Sequence, residues 1–114
     1  MTEQALSDMK VIDLTQYIAG PACTKLLADF GADVIKIERP GTGDGARTMG
    51  PFYHDEPDLD KSGLFLYLNT NKRGVTLNLK SVLGKEMLMA MVKRADVVVE
   101  NFKPGVMDRL GLSY

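Results

Sequence analysis

Hydrophobic and polar positions change period several times along the chain, and each regime reads as one element. Residues 10–15 (KVIDLT) are a run of branched apolar residues that closes on Gly20-Pro21, the pattern of a short buried strand leading to a helix with proline at its first position. Ala22, Cys23, Leu26, Leu27 and Phe30 then recur at helical spacing, which predicts a helix that buries this stripe, and Gly31 stands where a left-handed C-terminal cap falls. Residues 33–38 (DVIKIE) predict the next strand and complete a βαβ unit whose crossover is expected to be right-handed. From Arg39 to Gly63 glycine, proline and acidic residues leave no period of 2 or 3.6, so a long loop is expected.

Regular pattern returns at residues 74–80, where Val75, Leu77 and Leu79 alternate with Thr76, Asn78 and Lys80 as in a half-buried strand. Ser81 can cap a following helix. Leu83, Met87, Leu88, Met91 and Val92 give it an apolar stripe, and Lys93 and Arg94 suit its C-terminal dipole end. Residues 96–100 (DVVVE) predict another buried strand, and residues 104–110 the start of a short helix. Strands alternating with helices imply an α/β fold, a partial Rossmann-like layer with a mostly parallel sheet and flanking helices. Two or three helices barely cover both faces of such a sheet, and the last residues, LGLSY, are apolar and aromatic. The expectation is the first part of a larger domain, with strand faces such as Val97 to Val99 poorly covered.

Composition narrows the function classes. Fourteen basic residues against 15 acidic ones exclude the basic excess of a nucleic-acid surface, so any anion site must be local. A single cysteine permits no internal disulfide, and the N-terminus MTEQALSDMK has neither a basic n-region nor an apolar h-region, so a cytoplasmic location is expected. No apolar run approaches the roughly 18 residues of a membrane-spanning helix, and no membrane partner is expected.

Ligands of open α/β sheets gather at the carboxyl ends of the strands. The residues that follow the predicted strands are 16–21, Arg39, Lys80, and then Asn101, Phe102, Lys103 and Arg109. Cations, an amide and an aromatic ring on one edge suit a nucleotide that carries phosphates; the alternative is that the basic side chains only solvate strand ends. A dinucleotide site would use Glu38 as its ribose acid, but the first turn reads A-G-P-A-C-T instead of G-x-G-x-x-G, and Pro21 removes a backbone donor. Cys23 lies near a helix N-terminus without a base and on the apolar stripe, so it is expected in the core. His54, in the segment HDEPDLD, lacks metal-ligand spacing and is expected in solvated loop, and the seven methionines, three of them within residues 87–91, are expected as helix and core filler and not as a binding surface.

The segments VIDLTQYIAGP, LLADFGADVIKIERPGTGD, NTNKRGVTLNLK and ADVVVENFKPGVMDRLGL resemble, in order and spacing, the N-terminal portion of family III (CaiB/BaiF-type) CoA-transferases. The resemblance covers nearly the whole chain. It implies that residues 1–114 are the N-terminal, CoA-binding part of a Rossmann-like large domain in an enzyme several times longer, which forms an interlocked homodimer. It implies coenzyme A or acyl-CoA as substrate with a carboxylic acid as second partner, and no permanently bound cofactor or metal. By position, the CoA contacts of the formyl-CoA member carry over to Tyr17, Arg39, Leu77, Lys80, Asn101, Phe102, Arg109 and Leu110. Ile18 stands where that member has a glutamine that engages its carboxylate substrate, which points away from oxalate or formate. The nucleophilic aspartate that forms a mixed anhydride in the family is expected beyond Tyr114, so no catalytic residue is expected within the chain and the chain alone is expected to be inactive. A racemase branch of the same family, a CoA- or nucleotide-binding module without catalysis, and a non-functional truncated product are the other readings.

Overall fold

The computed structural model describes residues 3–114. Its strands are β1 (Lys10–Asp13), β2 (Asp33–Glu38), β3 (Arg73–Thr76) and β4 (Val97–Val99), and its helices are α1 (Ala19–Asp29), α2 (Gly63–Leu68), α3 (Val82–Val92) and α4 (Val106–Arg109). The strands form one sheet in the order β3-β2-β1-β4, and every pairing is parallel. This is the strand order of the first part of a doubly wound fold, and it reverses direction beside β1, where such folds open a crevice.

Strand alternation splits the core into two layers. Ile12, Leu14 and Ile37 point to one face and meet Leu77, Leu88 and Leu112, with Phe102, Met107 and Leu110 packed against them. Val11 and Val34 point to the other face and meet Ala28 and Ala32 beside α1. A strand covered on both faces carries apolar residues at successive positions, as Val11 and Ile12 do in β1 and Val34 and Ile35 in β2, although buried Asp13 and Lys36 interrupt the runs.

Helix α1 turns a different side to the sheet than its large apolar residues predict. Pro21, Thr24 and Ala28 are buried, whereas Leu26 is 58% and Phe30 60% exposed and Cys23 is exposed rather than part of the core. The reason lies in the sheet beneath, where buried Asp13 and Lys36 make that face partly polar. Thr24 answers it by donating its hydroxyl to Asp13 Oδ2 at 2.7 Å, and small residues let the helix approach closely. Pro21 is the third helical residue rather than the first; within the first turn its missing N–H still costs no intrahelical bond. Gly31 does take the left-handed conformation, at φ +107°.

Strand β3 ends at Thr76, short of the predicted residue 80, and its four residues are exposed. Leu77 adds one more bond by donating to the Glu38 carbonyl at 3.0 Å. Asn78 then closes a local turn by accepting from the Lys80 N–H at 3.0 Å, which competes with the ladder. Ser81 caps α3 as its position predicts, accepting from the Gly84 N–H at 3.0 Å. Gly84 and Leu88 are buried on that helix, while Leu83 is 66% exposed and Met87 and Met89 stand open as well. Met91 and Val92 do pack on the core. The edge strand β4 leaves Val98 half-exposed.

The connection from β2 to β3 holds two short 3-10 turns, Gly45–Thr48 and Tyr53–Asp55, and the unanticipated helix α2. Its signal was present in Ser62, whose hydroxyl accepts from the Phe65 N–H at 3.2 Å ahead of the apolar run LFLYL. The tetrad that follows, Asn69 to Lys72, and Arg73 staple this connection to the body. Asn69 donates to the Phe65 carbonyl, Asn71 to Asp29, and Arg73 forks onto Asp33. Lys72 reaches Asp13 Oδ2 at 3.0 Å.

Candidate functional site

The carboxyl ends of β1, β2 and β3 open on the α3 side into a cleft of about 300 Å³, roofed by α4. Leu14 and Gln16 follow β1 into its wall, Ile37, Glu38 and Arg39 come from the end of β2, and residues 77–80 pass along the third side. Phe102, Val106 and Leu110 close it from beyond β4. The lining is apolar at the base because the strand ends continue the core, and Arg39 and Lys80 stand exposed at the mouth. Cations at the rim of an apolar slot can hold phosphate oxygens while the slot takes an uncharged chain or ring.

Of the residues singled out in the sequence, Arg39, Leu77, Lys80, Phe102 and Leu110 line this cleft together. Phe102 is half-buried, and it both lines the cleft and packs on the core. Asn101 acts on the wall from behind: its Oδ1 accepts from the Gln16 N–H at 3.0 Å and its Nδ2 donates to the Gln16 carbonyl at 2.9 Å. Arg109 is exposed at the end of α4 and does not line the cleft; the inner residues Val106 and Leu110 of that turn do. Tyr17 and Ile18 lie in the turn between β1 and α1, half-exposed beside Gln16 and outside the cleft wall. Leu14, Ile37 and Val106 escaped notice in the sequence because an apolar residue at a strand end cannot be told from core by its type.

Glu38 is the one carboxylate among the lining residues, and both of its oxygens accept hydrogen bonds. Arg47 grips it with Nε at 2.7 Å from Oε2 and Nη2 at 2.8 Å from Oε1, and the Asp44 N–H donates to Oε2 at 2.8 Å. Burial raises the Glu38 carboxyl, but the Arg47 and Asp44 donors outweigh it and hold the group below its ordinary 4.5. The guanidinium of Arg47 also lies 3.7 Å from the Phe65 ring centroid. Three donors already occupy this carboxylate and one acceptor position on Oε1 stays open, which weakens the dinucleotide reading that rested on it.

Behind the wall lies a buried set of charges that the sequence did not mark. Asp13 accepts from the Thr15 N–H at 2.9 Å and from the hydroxyls of Thr15 and Thr24, and Lys72 Nζ stands 3.0 Å from its Oδ2. Burial raises the Asp13 carboxyl, yet Thr15, Lys36, Lys72 and Thr24 together hold it below its ordinary 3.8. Lys72 is drawn down from 10.5 by burial, which Asp13 only partly offsets. Lys36 donates to the Thr15 carbonyl at 2.9 Å and lies 2.8 Å from Asp44 Oδ2. That oxygen accepts no well-directed hydrogen bond among the described residues, so the Lys36–Asp44 contact is coulombic. Asp44 uses its other oxygen to accept from the backbone N–H of Tyr17 and of Ala46, each at 2.9 Å.

His54 and its acidic neighbours are exposed, and no group of side chains among the described residues is placed to hold a metal ion. Among the same residues no helix is long and apolar enough to cross a membrane.

Sequence and structure comparisons agree with this architecture. The chain is 52% identical over 111 residues to the formyl-CoA:oxalate CoA-transferase of Afipia carboxidovorans, covering 97% of this chain and 25% of that relative. It is 50% identical over 110 residues to the succinyl-CoA:mesaconate CoA-transferase of Haloarcula marismortui, covering 96% of this chain and 28% of that one. The chain thus spans about a quarter of the length of these curated relatives. A crystal structure of a CAIB/BAIF family protein from Brucella suis superposes with a TM-score of 0.87 at 39% identity, over 99% of this chain and 30% of that one. A hypothetical protein from Mycobacterium tuberculosis gives 0.85 at 36% identity, over 98% and 29%. The family model for CoA-transferase family III matches residues 6–114, so with the parallel sheet and its order in agreement the chain belongs to that family.

Proposed function

We propose that this chain is the CoA-binding N-terminal part of an acyl-CoA:carboxylate CoA-transferase, the opening segment of a Rossmann-like large domain. The observation that carries the reading is the cleft at the carboxyl edge of the sheet, where apolar walls from Leu14, Ile37, Leu77 and Phe102 meet Arg39 and Lys80 at the mouth. A CoA thioester needs both: cations for its phosphates and an apolar slot with a ring for pantetheine and adenine. The substrates are an acyl-CoA and a carboxylic acid, and the parent enzyme works as an interlocked homodimer through an acyl-aspartyl anhydride and an enzyme-bound thioester.

As the resemblance to the family implies, the attacking carboxylate is placed outside residues 1–114, and the acids around the cleft are already engaged. Glu38, the acid in the wall, is tied down by Arg47, and Asp13 and Asp44 are buried in ion pairs. A cleft that binds CoA without a nucleophile treats ground and transition states alike and does not speed the chemical step.

The test pairs calorimetry with a turnover assay. Titration of CoA into the purified chain is expected to give saturable binding, and mixing the chain with an acyl-CoA and a panel of carboxylates is expected to give no CoA exchange by mass spectrometry. Absence of CoA binding overturns the reading of the cleft. Turnover abolished by replacing an aspartate within the chain overturns the placement of the nucleophile.

A further inference from the structure

We infer that Asp44 is a positioning residue of the CoA cleft, which locks the turn after β1 into its working shape through the buried pair it forms with Lys36; this rests on the CoA-binding reading above. Tyr17 occupies the left-handed region at φ +69°, a conformation that side-chain-bearing residues adopt only when their surroundings impose it. The residue sits directly after Gln16, which lines the cleft, and directly before Ile18, which begins the entry to α1. Its conformation therefore sets where the cleft wall ends and the helix starts.

The turn is held on both sides of Tyr17. On one side Asn101 brackets Gln16 with two hydrogen bonds, at 3.0 and 2.9 Å. On the other, Gly20 lies against Thr15 so closely that a Cβ would meet the Thr15 Cβ at 2.4 Å. At Tyr17 itself the backbone N–H donates to Asp44 Oδ1 at 2.9 Å, and the ring covers Gly45, where a Cβ would lie 2.2 Å from Tyr17 Cζ.

Asp44 is equipped to act as this anchor and is not merely near. It is 1% exposed. Its own N–H donates to Glu38 in the cleft wall at 2.8 Å, and its Oδ1 also accepts from Ala46 N–H at 2.9 Å. The second oxygen faces Lys36 Nζ at 2.8 Å, and that same ammonium donates to the Thr15 carbonyl at 2.9 Å. The loop after β2 and the turn after β1 are thus joined at Tyr17 N–H and at Thr15 C=O through one ion pair. A surface loop capped by an ordinary aspartate has no need of a buried ammonium that also grips the neighbouring strand end. The arrangement makes the turn and the Glu38–Arg39 wall move as one body.

The experiment compares the wild-type chain with Asp44→Asn, Asp44→Ala and Gly45→Ala by amide hydrogen exchange and by calorimetric titration with CoA. Asparagine keeps an acceptor for Tyr17 N–H but leaves the buried Lys36 ammonium without its countercharge, so exchange at Tyr17 and CoA affinity are expected to fall between those of wild type and of the alanine variant. Alanine removes the acceptor: Tyr17 exchange is expected to rise at least about tenfold while amides in β1 and β2 keep their protection, and CoA affinity is expected to fall about tenfold. Gly45→Ala leaves the carboxylate in place but displaces the Tyr17 ring, and it is expected to weaken CoA similarly, which keeps the proposal testable if Asp44→Ala does not fold. Three results overturn it: unchanged Tyr17 exchange in Asp44→Ala, release of Tyr17 without loss of affinity in either alanine variant, or loss of protection spread equally over β1 and β2. A wild-type chain that takes up no CoA strikes the CoA-binding reading instead, and the exchange data then decide the clamp alone.

Discussion

Asp13 and Lys36 stand opposite each other in the parallel register of β1 and β2, both buried, yet each is paired with a residue from a later connection. Asp13 takes Lys72, which precedes β3, and Lys36 takes Asp44, from the loop after β2. Charges on the sheet thereby recruit the two irregular stretches of the long β2–β3 connection and fix them beside the carboxyl edge. Buried ion pairs add little net stability relative to apolar residues of the same size, but breaking one is costly because an uncompensated charge remains.

Asp13→Ala is therefore expected to lose about 3–5 kcal/mol of stability in urea denaturation, the range for stranding one member of a buried pair. The double change Asp13→Leu with Lys72→Met is expected to lose much less than the single one. A double variant at least as unstable as the single would show that Asp13 acts through its threonine hydroxyls and not through Lys72.

Acid sensitivity follows from the depressed carboxyls of Asp13 and Glu38. Each binds its proton less readily folded than unfolded, so its contribution is present above the ordinary value and is lost as pH falls through the folded one. Melting temperature is expected to be level above pH about 5 and to drop below the ordinary values of 4.5 and 3.8, and Glu38→Gln is expected to flatten part of that drop. A melting curve equally steep in the variant would remove Glu38 from the account.

Arg39 and Lys80 at the cleft mouth are each expected to contribute about 1.5–3 kcal/mol to CoA binding, the range for hydrogen bonds to charged groups. Arg109 does not line the cleft, and Arg109→Ala is expected to cost less than either. Calorimetry on the three alanine variants measures the order directly. Equal, undiminished affinity in all of them would place the phosphates elsewhere.

Phe102 serves the cleft and the core at once. If its ring meets adenine, Phe102→Leu weakens CoA more than pantetheine, which has no base to stack. The comparison of the two ligands, with a melting curve as control, isolates the ring contact; equal losses with a lowered melting temperature assign Phe102 to packing alone.

Much of this protein could be read from its residues in order. The strands at Lys10–Asp13, Asp33–Glu38 and Val97–Val99 were legible because branched apolar residues at successive positions favour extended backbone. The caps at Gly31 and Ser81 were legible because a left-handed φ and an orphan N–H each favour few residue types. So was the cationic set after the strands, of which Arg39 and Lys80 share the cleft with Leu77, Phe102 and Leu110. What only the tertiary structure decided was which apolar stripe is buried and which charge meets which. Cys23, Leu26 and Phe30 face outward because the layer beneath α1 holds Asp13 and Lys36, a fact about the neighbouring strands that helical spacing cannot contain. Asp44 likewise looks like one acid in a glycine-rich loop until the fold carries it 27 positions back along the chain to the N–H of Tyr17. Periodicity reports the local period of a segment, whereas ion pairs between distant segments depend on the register that folding brings about.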